Sequence, residues 1–131
     1  MKKLPLANAE LAIMNLLWKQ DRLTARQIRE ELYPDEKKAQ HGTVQRLLQR
    51  LEDKGYINRD RSLNIHFFSA AIDRQAYAGS QLESLATKLT GGSFAPLITH
   101  LVEKKKLSRN DLEELRAILD QGIRKGTEKN D

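Results

Sequence analysis

Cysteine is absent from this chain, which excludes disulfides, thiol catalysis and cysteine-ligated metal. Aromatic residues are scarce at 5%, and only Tyr77 and Phe94 lie after residue 70, too little lining for a drug-sized pocket in that half. No run of about 18 apolar residues occurs, so no segment reads as membrane-spanning. The opening MKKLPLANAE has two lysines but no apolar core, and so does not read as a signal peptide. These absences fit a protein of the reducing cytoplasm. Catalytic constellations are also missing. His41, His66 and His100 show neither HxxxH nor HExxH spacing, and no serine stands in a nucleophile-elbow context. The carboxylates mostly sit beside lysines at helical spacing, as on solvated faces. The chain reads as neither an enzyme nor a holder of metal or cofactor.

What is present is basic and helical. The 131 residues suffice for one ordinary domain or two small ones, with 39% hydrophobic residues and a mean hydropathy of −0.65. The net charge of +5 is unevenly placed. Residues 1–70 hold 13 Lys+Arg against 9 Asp+Glu, and residues 71–131 hold 10 against 9. An excess of cation favours polyanionic partners, through Coulomb attraction and counterion release.

The periodicity predicts three helices in the first half. NAELAIMNLLWKQ puts Ile13, Met14, Leu17 and Trp18 on one stripe, with Asn8 as its N-cap. Thr24 and Gln27 have capping-box spacing, Leu23 can staple to Ile28, and Pro34 stops a second helix over about 25–32. DEKKAQHG reads as a polar loop. A third helix, about 42–54, buries Val44, Leu47, Leu48 and Leu51 and ends at Gly55 in the left-handed conformation. YINRDRSLNIHFFSA then predicts two strands, about 56–59 and 65–70, joined by a polar bend. Three helices and a hairpin in about 70 residues is winged-helix order.

From Asp73, a predicted N-cap, the pattern predicts three amphipathic helices. The first carries Leu82, Leu85 and Leu89 and breaks at Thr90-Gly91-Gly92. The second, capped by Ser93, carries Leu97, Ile98, Leu101 and Val102. The third, with Ser108 and Asp111 in capping spacing, carries Leu112, Leu115, Ile118, Leu119 and Ile123. So few residues do not readily close a core alone, and sharing it with a second copy is the economical solution. The stripe residues Leu82, Leu85, Leu89, Leu97, Leu101, Leu112, Leu115 and Leu119 are the expected dimer contacts. The expected division is 1–72 for a winged-helix DNA-binding domain, 73–124 for a helical dimerisation domain and 125–131 for a flexible tail.

Opposite the buried stripe of the third helix lie Gly42, Arg46, Gln49 and Asp53, flanked by Thr43, Gln45 and Arg50. Arg can pair with guanine O6 and N7, Gln with adenine, and a Thr methyl with the thymine methyl. Gly42 lets a backbone come close to phosphate. The plainer reading is a solvated face, since Gln and Arg form helices well. The helix-turn-helix before it and the hairpin after it favour DNA. On the hairpin, Arg59 and Arg61 are the candidate phosphate contacts, with Asp60 between them weakening the field. Lys104-Lys105-Lys106 reads as a solvated turn between helices.

Three stretches carry a resemblance: AELAIMNLLW at 9–18, TVQRLLQRLEDKG at 43–55 and LSRNDLEELR at 107–116. Together they resemble the penicillinase-repressor family, the BlaI/MecI/CopY type of winged-helix transcriptional repressors, over about 6–119. The resemblance implies a homodimeric cytoplasmic repressor in which each winged helix reads half of an inverted-repeat DNA operator and the C-terminal helices dimerise. Its targets would be antibiotic-resistance or related stress genes. In β-lactam-responsive members, the resemblance further implies a membrane sensor metalloprotease that triggers cleavage of an Asn-Phe bond in the dimerisation half. Here His100-Leu101 stands at that place, a departure that puts cleavage in doubt. Copper-responsive members carry a C-terminal cysteine cluster, which this chain lacks. Ala7 stands where the family often has a Ser or Thr cap. The rival expectations are a winged-helix protein-interaction module and a ligand-gated regulator.

Overall fold

A computed structural model describes residues 5–35 and 40–130, apart from the side chains of 127–130. The chain is mostly helical with one small sheet. In order it runs α1 (Asn8–Lys19), β1 (Leu23–Thr24), α2 (Ala25–Leu32), α3 (His41–Asp53), β2 (Ile57–Asp60), β3 (Phe67–Ala70), α4 (Arg74–Thr90), α5 (Ala95–Glu103) and α6 (Arg109–Asn130). Of the polar loop expected over 35–42, residues 36–39 lie outside the described ones, and His41 and Gly42 already belong to α3.

The local signals act where expected. Thr24 Oγ1 accepts the Gln27 N–H at 3.2 Å, and Gln27 Oε1 accepts the Thr24 N–H at 2.8 Å, closing a capping box on α2. Leu23 and Ile28 are both buried, as a staple requires. Ser108 and Asp111 exchange the same pair of bonds at the start of α6, and Asp73 caps α4 by accepting the Ala76 N–H at 2.7 Å. At the end of α3, Gly55 has φ +82, its N–H reaches the Glu52 carbonyl, and the Tyr56 N–H reaches the Leu51 carbonyl. This is a Schellman motif, with Tyr56 packing back on the core beside Leu51.

Two predicted caps differ. Ala7, not Asn8, occupies the N-cap of α1 and offers no side-chain acceptor. Glu10 substitutes by reaching back to the Ala7 N–H at 3.0 Å, half of a capping box. Phe94, not Ser93, is the N-cap of α5, and Pro96 stands in its first turn, where a missing N–H is no loss. Ser93 instead offers its carbonyl to the Thr90 hydroxyl. The helix α6 runs on to Asn130, past the position where a tail was expected.

The sheet has order β1-β3-β2, all antiparallel. The strand β1 was not predicted. Its two residues pair Leu23 with Phe68 and Thr24 with Phe67, so the entry to α2 is tied to the hairpin. The hairpin itself pairs Ile57 with Ala70 and Arg59 with Phe68.

Two compact units divide the chain, Met1–Glu83 and Ser84–Asp131. The division lies inside α4, eleven residues beyond the end expected at residue 72, because the start of α4 belongs to the first core. Tyr77 is buried there, its hydroxyl accepts the Leu6 N–H at 2.9 Å, and its ring meets Tyr56 edge-on at 5.8 Å. Trp18 donates its indole N–H to the Ile72 carbonyl at 2.8 Å. Ile13, Met14, Ile28, Val44, Leu48 and Leu51 are wholly buried in this core. Each contributes about 1.5–3 kcal/mol by leaving water.

In the second unit the apolar stripes are largely uncovered. Leu82 (in the α4 turns of the first unit), Leu85, Leu89, Leu112 and Leu119 are exposed, as are Phe94, Ile118 and Ile123. Leu97, Leu101 and Leu115 are half-buried.

Candidate DNA-binding surface

The buried stripe of α3 turns its other face outward. Gly42, Gln45, Arg46, Gln49 and Arg50 are exposed and Thr43 is half-buried. Gln49 donates to Asp53 Oδ1 at 2.9 Å, and Gln45 lies 3.4 Å from the His41 ring. The Arg46 side chain makes no hydrogen bond or ion pair with any described residue. A Cβ added to Gly42 would meet nothing within 4 Å among the described residues, so packing against them does not explain that glycine.

An ion pair that the sequence reading missed fixes the pose of α3. Glu10 is 2% exposed, and its two carboxylate oxygens accept from Lys54 Nζ at 2.9 and 3.0 Å. The pair joins the start of α1 to the end of α3. Burial pushes the Glu10 carboxyl up, but the Ala7 N–H, the Lys54 ammonium and the Arg50 charge outweigh it and hold it below its ordinary value. A folded pKa lowered in this way stabilises the fold above the unfolded carboxyl pKa, and the contribution is lost as pH falls through the folded value. Glu10→Gln is expected to lower stability by about 1.5–3 kcal/mol at pH 7, the range for a charged hydrogen bond. The difference from the parent should close as pH falls below the ordinary value of 4.5. Denaturant melts of both proteins at pH 7 and pH 3 check it, and an equal gap at both would refute the ionic account.

The hairpin carries the two predicted arginines to different places. Arg59 Nε lies 3.1 Å from Glu52 Oε1, its side chain is only 12% exposed, and its guanidinium stands 4.7 Å from the Phe68 ring centre. Arg61 reaches Glu52 Oε2 at 3.0 Å but is 56% exposed. Asp60 is engaged as well: it accepts the Ser62 hydroxyl and N–H at 2.6 and 2.9 Å and faces Arg22 at 3.9 Å. These contacts lower its carboxyl pKa, the Ser62 hydroxyl most of all. Ile65, expected as the first residue of the second strand, lies before β3, which starts at Phe67, and it is exposed, as is Leu63 in the bend.

Between the hairpin and the starts of α2 and α3 lies a cleft of about 310 Å³, lined by Thr24, Ala25, Arg26, His41, Gln45, Ile65 and His66. It brings together two of the histidines that stand 25 positions apart in the sequence. Among the described residues, no three His, Asp or Glu side chains are placed to share a metal ion. No helix among them is long and apolar enough to cross a membrane.

The sequence model described as Penicillinase repressor matches residues 6–121. The chain belongs to the penicillinase repressor family. It is 30% identical over 118 residues to the penicillinase repressor of Staphylococcus aureus, covering 90% of this chain and 93% of that protein. It is 29% identical over 120 residues to the methicillin resistance regulatory protein MecI of S. aureus strain N315, covering 92% and 97%. A solution structure of the DNA binding domain of the repressor BlaI aligns with 59% of this chain and 94% of its own, at 29% identity and a TM-score of 0.49. Membership makes the chain a transcriptional repressor with a winged-helix DNA-binding unit.

Proposed function

We propose that this repressor acts in the cytoplasm as a homodimer on an inverted-repeat operator. In each copy α3 enters the major groove and the wing lies along the backbone. The observation that carries this reading is the outer face of α3, where an exposed Arg46 without a side-chain partner among the described residues stands between two exposed glutamines. Arg46, Gln45 and Gln49 are the candidate base contacts. Thr43 and Arg50 lie nearer the phosphates, and the backbone at Gly42 is open to close approach. Arg61 is the candidate wing contact to phosphate.

The uncovered stripes of α4, α5 and α6 support dimerisation, because apolar residues left at 46–66% exposure on α4 alone are costly to keep in water. Loss of the dimer by any route would release the operator. A cut at His100-Leu101 is one such route, though both residues lie inside α5, and a protease that takes its substrate extended must first unwind that helix. A membrane sensor protease therefore remains a candidate partner only for a chain whose α5 opens.

Selection from a random duplex pool tests the reading. It should return inverted repeats with half-sites spaced about one helical turn, or a small multiple, apart. Sedimentation should find two chains per duplex. Recovery of single half-sites, or one chain per duplex, would refute it.

A further inference from the structure

Among the described residues, Glu52 is the one carboxylate that faces both wing arginines. It stands on the last turn of α3, with its side chain 21% exposed. The Schellman turn at Gly55 sends the chain directly into β2, so the wing starts four positions after the end of the helix that carries Glu52. Side chains alternate along a strand. Ile57 and Arg59 therefore share the inward side of β2, where the burial alternates, and Arg61 continues that parity one residue past its end. This is why residues 59 and 61, and not 60, meet Glu52.

The two partners are not equivalent. Arg59 is pinned by burial and by the Phe68 ring, and its Nε–H is not aligned as a hydrogen bond although it is 3.1 Å from the carboxylate. That contact is Coulombic and does not depend on direction. Arg61 makes an aligned bond to Oε2 at 3.0 Å and a longer one to Oε1 at 3.4 Å, from a side chain more than half in solvent. One carboxylate between two guanidiniums leaves one positive charge unmatched.

We propose that Glu52 is the positioning residue of the wing, holding Arg59 as a fixed strut and Arg61 as a cation that exchanges the carboxylate for a DNA phosphate. The proposal rests on the DNA-binding reading above. Bound to Glu52, Arg61 sits on a built-in analogue of phosphate, already turned toward α3. On DNA it moves to the backbone while Arg59 keeps the carboxylate company, so Glu52 is never left unpaired. The cost of the exchange is subtracted from the worth of the Arg61 contact. Exposed ion pairs are individually weak, which makes the exchange easily reversible.

The test measures duplex binding by the full-length protein and by Glu52→Gln, each with and without Arg61→Ala, at fixed salt. In the parent, Arg61→Ala should weaken binding only about twofold, because the phosphate contact largely replaces an ion pair already made. In Glu52→Gln, the same change should weaken it about tenfold, because Arg61 then has no internal partner to give up. Glu52→Gln alone should bind nonspecific duplex several-fold more tightly. A merely structural glutamate gives the opposite pattern: Glu52→Gln weakens binding and leaves Arg61→Ala with equal or less to lose, which overturns the proposal. A second measurement needs no substitution at Glu52. In the ¹⁵N spectrum of the parent's arginine side chains, the Arg61 Nε signal should move on adding duplex while that of Arg59 stays. Movement of both, or of neither, overturns it too. A parent protein that binds no duplex even at low salt overturns both this proposal and the DNA-binding reading.

Discussion

Leu115→Asp is expected to give monomers and to lower operator affinity by about 10²–10⁴. That is the factor by which tethering a second winged helix strengthens the hold of the first. Leu115 stands half-buried on α6 between Leu112 at 40% exposure and Leu119 at 60%. In a dimer this stripe is covered by the partner, and a carboxylate placed there is buried without a counter-charge. Neither α3 nor the first core contains Leu115, so circular dichroism and the melting of the first unit should be little changed. Because Leu115 is already half-buried within one chain, Leu119→Asp serves as its companion. At 60% exposure it should disturb the folded chain less and the dimer equally. If both variants sediment as dimers, or become monomers that still grip the full operator as tightly as the parent, repression does not work through this seam.

Arg46→Ala is expected to cost about 1–3 kcal/mol in operator binding, the range for a bidentate pair with a base edge. Binding to unrelated duplex should suffer much less, since a base contact carries the sequence and a phosphate contact does not. The structure makes this a clean measurement. Arg46 is exposed and its side chain holds nothing else among the described residues, so its removal should leave the unfolding free energy within about 0.5 kcal/mol of the parent. Gln49 is a less direct probe, because its amide is already engaged with Asp53. Titrations on the selected operator and on a scrambled duplex, at the same salt, decide the role of Arg46. Equal losses would make it a phosphate contact, and no loss would take it out of the surface.

The sequence and the structure divide the explanation of this surface according to distance along the chain. What depends on residues three or four apart was legible without coordinates. The stripe Val44, Leu47, Leu48 and Leu51 shows which side of α3 is buried, and thereby which side carries Arg46 and Gln49. Thr24 with Gln27, Ser108 with Asp111, and Gly55 after α3 mark helix ends through bonds that close within one turn. The order of helices and hairpin, the uncovered leucines of the second unit and membership of the penicillinase repressor family all follow from that local pattern and from the motifs it carries. What joins residues far apart did not. The two residues of β1 are too few to show a strand period, and only their partner β3, more than 40 positions away, makes them a strand. Ala7 is a helix cap only because Glu10 turns back to its N–H, and the buried Glu10 carboxylate is held charged by that N–H together with Lys54, which arrives from 44 positions on. Arg59 and Arg61 look alike in sequence, two arginines around one bend. Packing against Phe68 and the reach of Glu52 make the first a strut and leave the second in solvent, because ion pairs and ring contacts form between surfaces that only the folded chain brings together.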